Sequence, residues 1–168
     1  MWQGGVHAQE FLEACLHLSQ IPDHPVAAHD VDLFHTVATV RVPGAMGSLL
    51  RHYDALPEGL LEADPAQLSD VLGGPSLIHL PGRRAQPLFV SVLLHGNETT
   101  GFMALQAMLQ RYQGKELPRA LSIFVGNVEA ARDGLRRLAG QPDYNRVWPG
   151  SDHPDSPEKR MMAEVVDI

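Results

Sequence analysis

The chain has 168 residues, 44% of them hydrophobic and 20% charged, which is enough for one ordinary domain with a buried core. Its formal net charge of -7 argues against a general nucleic-acid binder, because such proteins are normally basic. A single cysteine, Cys15, excludes an internal disulfide and fits a reducing compartment. No signal peptide and no apolar run long enough to cross a membrane is visible, so we expect a cytoplasmic protein without a membrane partner.

The first half of the chain carries few strong patterns. His7 to Gln20 has apolar residues at near-helical spacing and predicts an amphipathic helix. The alternating, β-branched segment His35 to Val42 predicts a strand. A helix is expected over residues 65–72, since an Asp-Pro pair at 64–65 suits a helix start. Ser76 to Leu80 is a short strand candidate.

From residue 87 the sequence alternates between strand and helix patterns. Leu88 to Leu94 is a continuous apolar run, which is typical of a strand covered by helices on both faces. The further predicted elements are a helix over Thr99 to Tyr112, a strand over Leu121 to Val125, a helix over Glu129 to Leu138, a helix from a Ser156 cap to about Ala163, and the start of a strand at Glu164 to Ile168. This order predicts an α/β fold with a mostly parallel sheet flanked by helices.

Polar residues end the apolar run at 88–94. His95 and Glu98 are three residues apart where the strand gives way to loop and helix, and Gly96 allows a tight path between them. Zinc takes imidazole nitrogens and carboxylate oxygens, and a catalytic zinc has three protein ligands and a water. Ligand sites of α/β proteins form at this end of a strand. A solvated surface pair is the alternative, since such pairs are common by chance; Asn97 can hold the loop or bond a substrate carbonyl.

Two further polar clusters follow. Asn127 follows Gly126 after the strand predicted over Leu121 to Val125. Arg136 and Arg137 lie near the end of the helix predicted over Glu129 to Leu138. The segment Asp143 to Arg146 reads Asp-Tyr-Asn-Arg and joins an arginine, whose fork suits a carboxylate, to an amide donor. The alternatives are a turn with an ordinary surface arginine, and basic residues that complement a helix dipole.

Taken in order, His-Gly-Asn-Glu at 95–98, Gly-Asn at 126–127 with an alanine three residues on, an arginine, and Asp-x-Asn-Arg at 143–146 resemble the succinylglutamate desuccinylase/aspartoacylase branch of the zinc carboxypeptidase superfamily. The resemblance covers about residues 87–168. It implies an incomplete carboxypeptidase-like α/β/α fold and a zinc-dependent amide hydrolase, which acts on N-acyl amino acids or peptide C-termini. Residues 1–86 carry no resemblance and are treated as an N-terminal extension.

The resemblance implies a role for each residue that matches. His95 and Glu98 would bind zinc. An arginine would polarise the scissile carbonyl or bind substrate: counting forward from the amide at 127 gives Arg136, which we prefer, and counting back from the amide at 145 gives Arg137. The other implied residues are Asn145 and Arg146 at the substrate carboxylate and, in supporting positions, Asn97, Asn127 and Asp143.

Two parts of the implied site are missing from the sequence. The family pattern has a third ligand, a histidine after a strand like that of Val165 to Ile168, and a later glutamate as general base. The sequence stops in that strand, so we interpret the chain as the N-terminal part of a longer enzyme and expect the 168 residues alone to bind zinc weakly without hydrolysis. The alternative is a non-catalytic α/β module that binds a carboxylate ligand or a partner. An unpaired strand at 164–168 also predicts self-association.

Overall fold

The structure, a computed structural model, describes residues 40–41 and 48–167. The helix predicted over His7 to Gln20 and most of the strand predicted over His35 to Val42 lie outside these residues. Within the described part, every helix is too short or too polar to cross a membrane.

A mixed sheet forms the centre of the fold. Its strands, in chain order, are β1 Val40–Arg41, β2 Arg51–Tyr53, β3 Ser76–Leu80, β4 Arg84–Val92 and β5 Arg119–Val125. They lie in the spatial order β1-β2-β3-β5-β4. The pairs β2–β3 and β4–β5 are parallel, and the pairs β1–β2 and β3–β5 are antiparallel. Because β4 and β5 are parallel neighbours, the polar residues that follow them meet at one edge of the sheet.

Helices flank this sheet, so the predicted α/β fold is confirmed. They are α1 Leu68–Leu72, α2 Thr100–Arg111, α3 Val128–Arg132 and α4 Pro157–Val166, with 3-10 turns at Pro65–Gln67 and Tyr144–Arg146. Two sequence signals act as predicted. The Asp64 side chain accepts a hydrogen bond at the start of the first 3-10 turn, and the Ser156 side chain accepts one from Lys159 N at the start of α4.

The two faces of the sheet are buried by different parts of the chain. One face carries the larger cluster, in which α2 meets the strands and the segment of residues 53–72. Representative buried members are Leu68, Leu72, Ile78, Val90, Phe102, Leu105, Met108, Ile123 and Val125. The opposite face packs against α4 and the 3-10 turn through Leu50, Leu77, Phe124, Tyr144, Val147, Met161, Met162 and Val165. Residues before 86 therefore share one core with the residues that follow.

The prediction of a strand from Glu164 to Ile168 is wrong for residues 164–166, which are helical. Glu164–Val166 form the last turn of α4, and Ile168 lies outside the described residues. Met161 and Val165, four residues apart, are both buried against the sheet, so burial at helical spacing extends the helix. The position of a third ligand directly after such a strand therefore loses its structural basis, as does self-association through it.

Strand β4 differs from the prediction in its ends and its burial. It begins at Arg84, before the predicted start at Leu88, and ends at Val92, before the predicted end at Leu94. The expectation that helices cover both faces is wrong here, because Phe89 is 46% exposed while Val90 and Val92 are buried. The reason is position, since β4 is the last strand in the spatial order. One of its faces joins the α2 core, and the other reaches past the part of the sheet that α4 covers.

The short helix predicted over Glu129 to Leu138 ends early. Helix α3 stops at Arg132, and Gly134 takes a left-handed conformation with φ of +63° that a helix cannot continue. The residues from Leu135 to Asp143 therefore form a loop. This loop, which we call the Arg136 loop, turns back toward the end of β4, where Gly96 N donates to Arg136 O at 3.1 Å.

Candidate active site

The end of β4 is tied to the end of β5 by short backbone hydrogen bonds. Gly126 N donates to Val92 O at 3.0 Å, and Asn127 N donates to Leu93 O at 2.7 Å. Between them, Leu93 has a φ of 59°, a left-handed conformation that is strained for a leucine. The strain is held by these bonds and ends the strand just before His95.

Gly96 lets the Arg136 loop approach the segment after β4. A Cβ at this position would lie 2.3 Å from Ala131 N and 2.4 Å from Ala130 C, distances that real side chains do not tolerate. The sequence indicated a tight local path at Gly96. The structure gives a more specific reason, because the missing side chain allows α3 and the loop after it to pack directly on the backbone beside His95.

His95 is buried, with 2% of its surface exposed, and lies between two carboxylates. Its Nε2 lies 2.9 Å from Asp143 Oδ1 in a hydrogen bond. Its Nδ1 lies 3.0 Å from Glu98 Oε1, yet this buried atom has no hydrogen-bond partner of acceptable geometry. The ring is therefore fixed through one nitrogen, while the other faces a carboxylate oxygen.

Arg136 joins both carboxylates. Its Nη1 donates to Glu98 Oε1 at 2.9 Å, and its Nη2 lies 3.6 Å from Asp143 Oδ2. We call His95, Glu98, Arg136 and Asp143 the His95 cluster. Arg136 and Glu98 are each more than half exposed, so their ion pair adds little stability, and the buried imidazole is the fixed centre of the cluster.

The charges in the His95 cluster shift three pKa values. Burial alone lowers the pKa of His95, but the close carboxylate of Glu98, the hydrogen bond to Asp143 and the negative charges of both residues outweigh it, so this pKa is raised above 6.5. The contact with His95, supported by Arg136, lowers the pKa of Glu98 against the effect of burial. Burial raises the pKa of Asp143, but His95 and the backbone N–H of Asn145 outweigh it, so this pKa is lowered. Both carboxyl groups are therefore ionised near neutral pH.

The two candidate arginines have different partners. Arg136 contacts Glu98 and Asp143, whereas Arg137 Nη1 donates to the backbone oxygen of Gln141 at 3.2 Å. The structure thus brings Arg136, and not Arg137, to the His95 cluster. Local counting along the sequence gave both answers because the Arg136 loop has no regular period.

The segment Asp143 to Arg146 forms a 3-10 turn beside the His95 cluster. Asp143 Oδ1 accepts a hydrogen bond from Asn145 N at 2.9 Å, which caps the start of the turn. The contact of the same oxygen with His95 was missed. A histidine that binds metal usually has a carboxylate or carbonyl partner on its other nitrogen, and this rule could have identified it. Asn145 and Arg146 are exposed next to this carboxylate.

Asn127 and Gln141 hold the loops around the cluster. Asn127 is 1% exposed; its Oδ1 accepts from Ala130 N at 3.2 Å, and its Nδ2 donates to Gln141 Oε1 at 2.8 Å. Gln141 had no signal in the sequence. Asn97 is exposed on the loop after β4. His79 lies on β3, where its Nδ1 is 3.1 Å from Ser122 Oγ.

The donor set around Nδ1 of His95 fits zinc in part. An imidazole nitrogen and a carboxylate oxygen face one another there, and both are zinc donors. Asp143 lies on the opposite nitrogen, so it cannot join His95 and Glu98 around one ion. Within residues 48–167, no three or more His, Cys, Asp or Glu side chains form a group that could hold a metal. Within the described residues, two side chains of the kinds that bind zinc therefore face one another at His95.

The chain was also compared with models of protein families. Residues 85–167 match the succinylglutamate desuccinylase/aspartoacylase catalytic domain, a family whose members are typically zinc-dependent amide hydrolases. Neither the comparison with curated proteins nor that with solved structures gave a match. The matched segment contains the whole His95 cluster and the turn at 143–146. Through residues 85–167, the chain therefore belongs to the succinylglutamate desuccinylase/aspartoacylase family.

Proposed function

We propose that the chain is part of a zinc-dependent amide hydrolase that acts on N-acyl amino acids or peptide C-termini. One observation carries the proposal: the buried Nδ1 of His95 lies 3.0 Å from Glu98 Oε1 without a hydrogen-bond partner. Buried polar atoms are nearly always paired, so an unpaired nitrogen that faces a carboxylate oxygen suits a cation bound by both. The family match supports the same chemistry.

His95 and Glu98 would hold the zinc ion. When bound, zinc lowers the pKa of a water and polarises the amide carbonyl. Asp143 accepts the hydrogen bond of Nε2–H, which leaves Nδ1 without a proton and available to the metal. The third ligand and the general base are not assigned to any described residue.

Three polar side chains beside the cluster would bind the substrate. Arg136 carries positive charge at the rim of the cluster, where it can stabilise the negative charge that develops on the carbonyl oxygen. Arg146 and Asn145 are exposed on the turn that begins at Asp143. A guanidinium and an amide suit a substrate carboxylate, and holding it would fix the register of the scissile bond.

The second candidate is a module that binds a carboxylate ligand without turnover. It is favoured by the donor count, because within the described residues only two zinc donors converge at His95. The cations at 136 and 146 serve this function equally well. The two functions differ in their need for metal, since a simple carboxylate site works without zinc.

Zinc titration of the 168-residue chain by calorimetry tests the proposal. We expect weak binding of one zinc ion, which is lost in His95→Ala and in Glu98→Gln because each removes a ligand. His153→Ala is the matched control, since His153 Nδ1 bonds to the adjacent Pro154 O and lies outside the cluster. Zinc binding that survives in His95→Ala would contradict the proposed site.

Substitution of Arg146 separates the substrate role from a structural one. We expect Arg146→Ala to bind zinc as the wild type does and to lose affinity for N-acetyl-L-glutamate, because only the carboxylate partner is removed. The measurement is calorimetry with this probe, with zinc and with a chelator. Binding of the probe that is equal in both conditions would favour the non-catalytic module.

A further inference from the structure

The side chain of Gln141 has three hydrogen-bond partners near the site, two in its own loop and turn and one at the start of α3. Its Oε1 accepts from Asn127 Nδ2 at 2.8 Å and from Leu138 N at 3.0 Å. Its Nε2 donates to the hydroxyl of Tyr144 at 3.1 Å. One amide thus joins the start of α3, the Arg136 loop and the 3-10 turn after Asp143.

Each of the three partners is close in sequence to a residue of the His95 cluster or to the strand that ends beside it. Leu138 is two residues after Arg136, Tyr144 follows Asp143 directly, and Asn127 is bonded to the end of β4 through Leu93 O. Tyr144 is 3% exposed, so its hydroxyl is a fixed point and not a solvated tip. The Gln141 amide therefore sets the distance between the loop that carries Arg136 and the turn that carries Asp143.

We propose that Gln141 is a positioning residue, which fastens the Arg136 loop to the Asp143 turn and so places Arg136 against Glu98 and Asp143. As a role in catalysis, this inference rests on the proposed function. Gln141 does not contact the metal donors, and it acts only through the side chain of Asn127, the backbone N–H of Leu138 and the hydroxyl of Tyr144. Loss of the Gln141 amide leaves His95 and Glu98 in place but frees the guanidinium of Arg136, which contacts Glu98 and Asp143.

Gln141→Leu removes these hydrogen bonds and keeps a side chain of similar size. Gln106→Leu is the matched control, because the Gln106 amide also bonds backbone of a distant segment, donating to Leu60 O and Ala63 O at 2.8 and 2.9 Å. That site lies on α2, away from the His95 cluster. Both substitutions should lower the thermal midpoint to a similar degree, since each leaves buried partners unpaired.

The readout that distinguishes them is the guanidinium NMR signal of Arg136, recorded without metal. In the wild type, the hydrogen bond to Glu98 and the ion pair with Asp143 restrict rotation about Nε–Cζ, and we expect separate Nη signals at low temperature. Gln141→Leu should average these signals, whereas Gln106→Leu should retain them. Arg132, which pairs with Asp70 elsewhere on the surface, is an internal reference that neither change should alter.

Zinc affinity gives a second readout. We expect Gln141→Leu to raise the zinc Kd about tenfold, because the freed Arg136 no longer hydrogen-bonds to the ligand Glu98. This is the lower end of the effect of losing a hydrogen-bond partner of a metal ligand. Gln106→Leu should leave the zinc Kd unchanged. Gln141→Glu should restore both readouts, because a carboxylate still accepts from Asn127 and Leu138, and the Tyr144 hydroxyl can turn to donate to it.

Wild-type Arg136 signals in Gln141→Leu would overturn the inference and leave Gln141 with a purely structural role. If that variant does not fold, Tyr144→Phe takes its place, since it removes the bond to the turn alone, and unchanged Arg136 signals there overturn the inference equally. The NMR comparison needs no zinc. A wild-type chain that binds no zinc would thus contradict the proposed function, while averaged Arg136 signals in Gln141→Leu would still support the positioning role.

Discussion

The two nitrogens of His95 meet carboxylates of different kinds. Asp143 is a quarter exposed and hydrogen-bonds to Nε2, while Glu98 is 58% exposed and faces Nδ1 without a hydrogen bond. The Nε2 side of the ring is therefore fixed by a hydrogen bond, while the buried Nδ1 faces an oxygen of a side chain that is more than half exposed. This asymmetry is what a metal ligand needs, because its orientation is set from behind while its donor atom remains available.

Asp143→Asn tests this outer hydrogen bond. The amide keeps the shape of the side chain but loses the charge that holds Nε2–H, so we expect the zinc Kd to rise roughly 10- to 100-fold. Competition with a chelator measures it. Asp152→Asn, a substitution of the same type in the exposed loop before α4, is the control and should bind zinc as the wild type does. Equal affinity in all three proteins would contradict a role for Asp143 behind the ligand.

The raised pKa of His95 predicts a pH-dependent stability of the metal-free chain. A group whose pKa is raised by folding stabilises the fold below its ordinary value of 6.5, and this contribution is lost as pH rises through the folded pKa. We therefore expect the thermal midpoint of the wild type to exceed that of His95→Gln more at about pH 5.5 than at about pH 8.5. The lowered pKa values of Glu98 and Asp143 keep both carboxyl groups ionised over this range.

The measurement is thermal unfolding of both proteins with a chelator present, because bound zinc would compete with the proton on His95. Subtracting the His95→Gln midpoint removes the titration of the other histidines. A difference between the two proteins that grows toward high pH would contradict the stabilising role of the two carboxylates.

At the scale of elements, the site is built where the ends of β4 and β5 are bonded together and α3 begins. The polar residues that follow these two strands come from distant parts of the chain, yet the parallel pairing places them at one edge. Gly96 is the point of closest approach, with α3 and the Arg136 loop packed on its backbone. The geometry of the site therefore depends on a position that carries no functional group.

Gly96→Ala tests this packing. The added methyl group would lie within 2.6 Å of three backbone atoms, so α3 or the end of β4 must move. We expect a loss of at least about 3 kcal/mol in the free energy of unfolding, the upper end for an overpacked site. Gly101→Ala is the control: its Cβ would meet only Val92 Cγ1, at 3.7 Å, and alanine favours the helix by up to about 1 kcal/mol. Chemical denaturation of both variants compares the two effects.

Local patterns predicted the elements well where one period dominated. Ser76–Leu80 has the predicted bounds, and α2 differs from its predicted range only at the ends. The segment at 164–168 is short and contains three apolar residues, a pattern that fits a strand and a buried helix turn equally. Packing of Met161 and Val165 on the sheet decided for the helix.

At the scale of the molecule, residues 85–167, which match the family, share their hydrophobic core with residues that precede them. β5 pairs with β3 over five residue pairs from Ser76↔Val125 to Leu80↔Leu121, so the strand before residue 85 lies in the middle of the sheet. The buried cluster under α2 also includes Leu68 and Leu72 of α1. Resemblance to the family begins near residue 85, whereas the packing unit begins at least as early as residue 50.

A polypeptide of residues 85–168 is therefore expected not to fold cooperatively. It would expose the edge of β5 and lose the apolar side chains of α1 and β3. The free energy of burial lost in this way exceeds the usual net stability of a single domain. Circular dichroism during denaturation is the measurement, with residues 48–168 as the control that retains the whole described core. A sharp unfolding transition in the shorter polypeptide would contradict the shared core.

The sequence by itself predicted the α/β class from the periodicity of its elements, and the family from the order of its short motifs at 95–98, 126–127 and 143–146. It also gave His95 and Glu98, three positions apart, as candidate donors. Only the tertiary structure decided that Arg136 and not Arg137 joins them, that Asp143 bonds to His95, and that Gln141 fastens the loops. The contacts of the cluster join residues 38 and 48 positions apart. They form because β4 and β5 lie side by side in parallel, and no local pattern records which loop residues that pairing brings together.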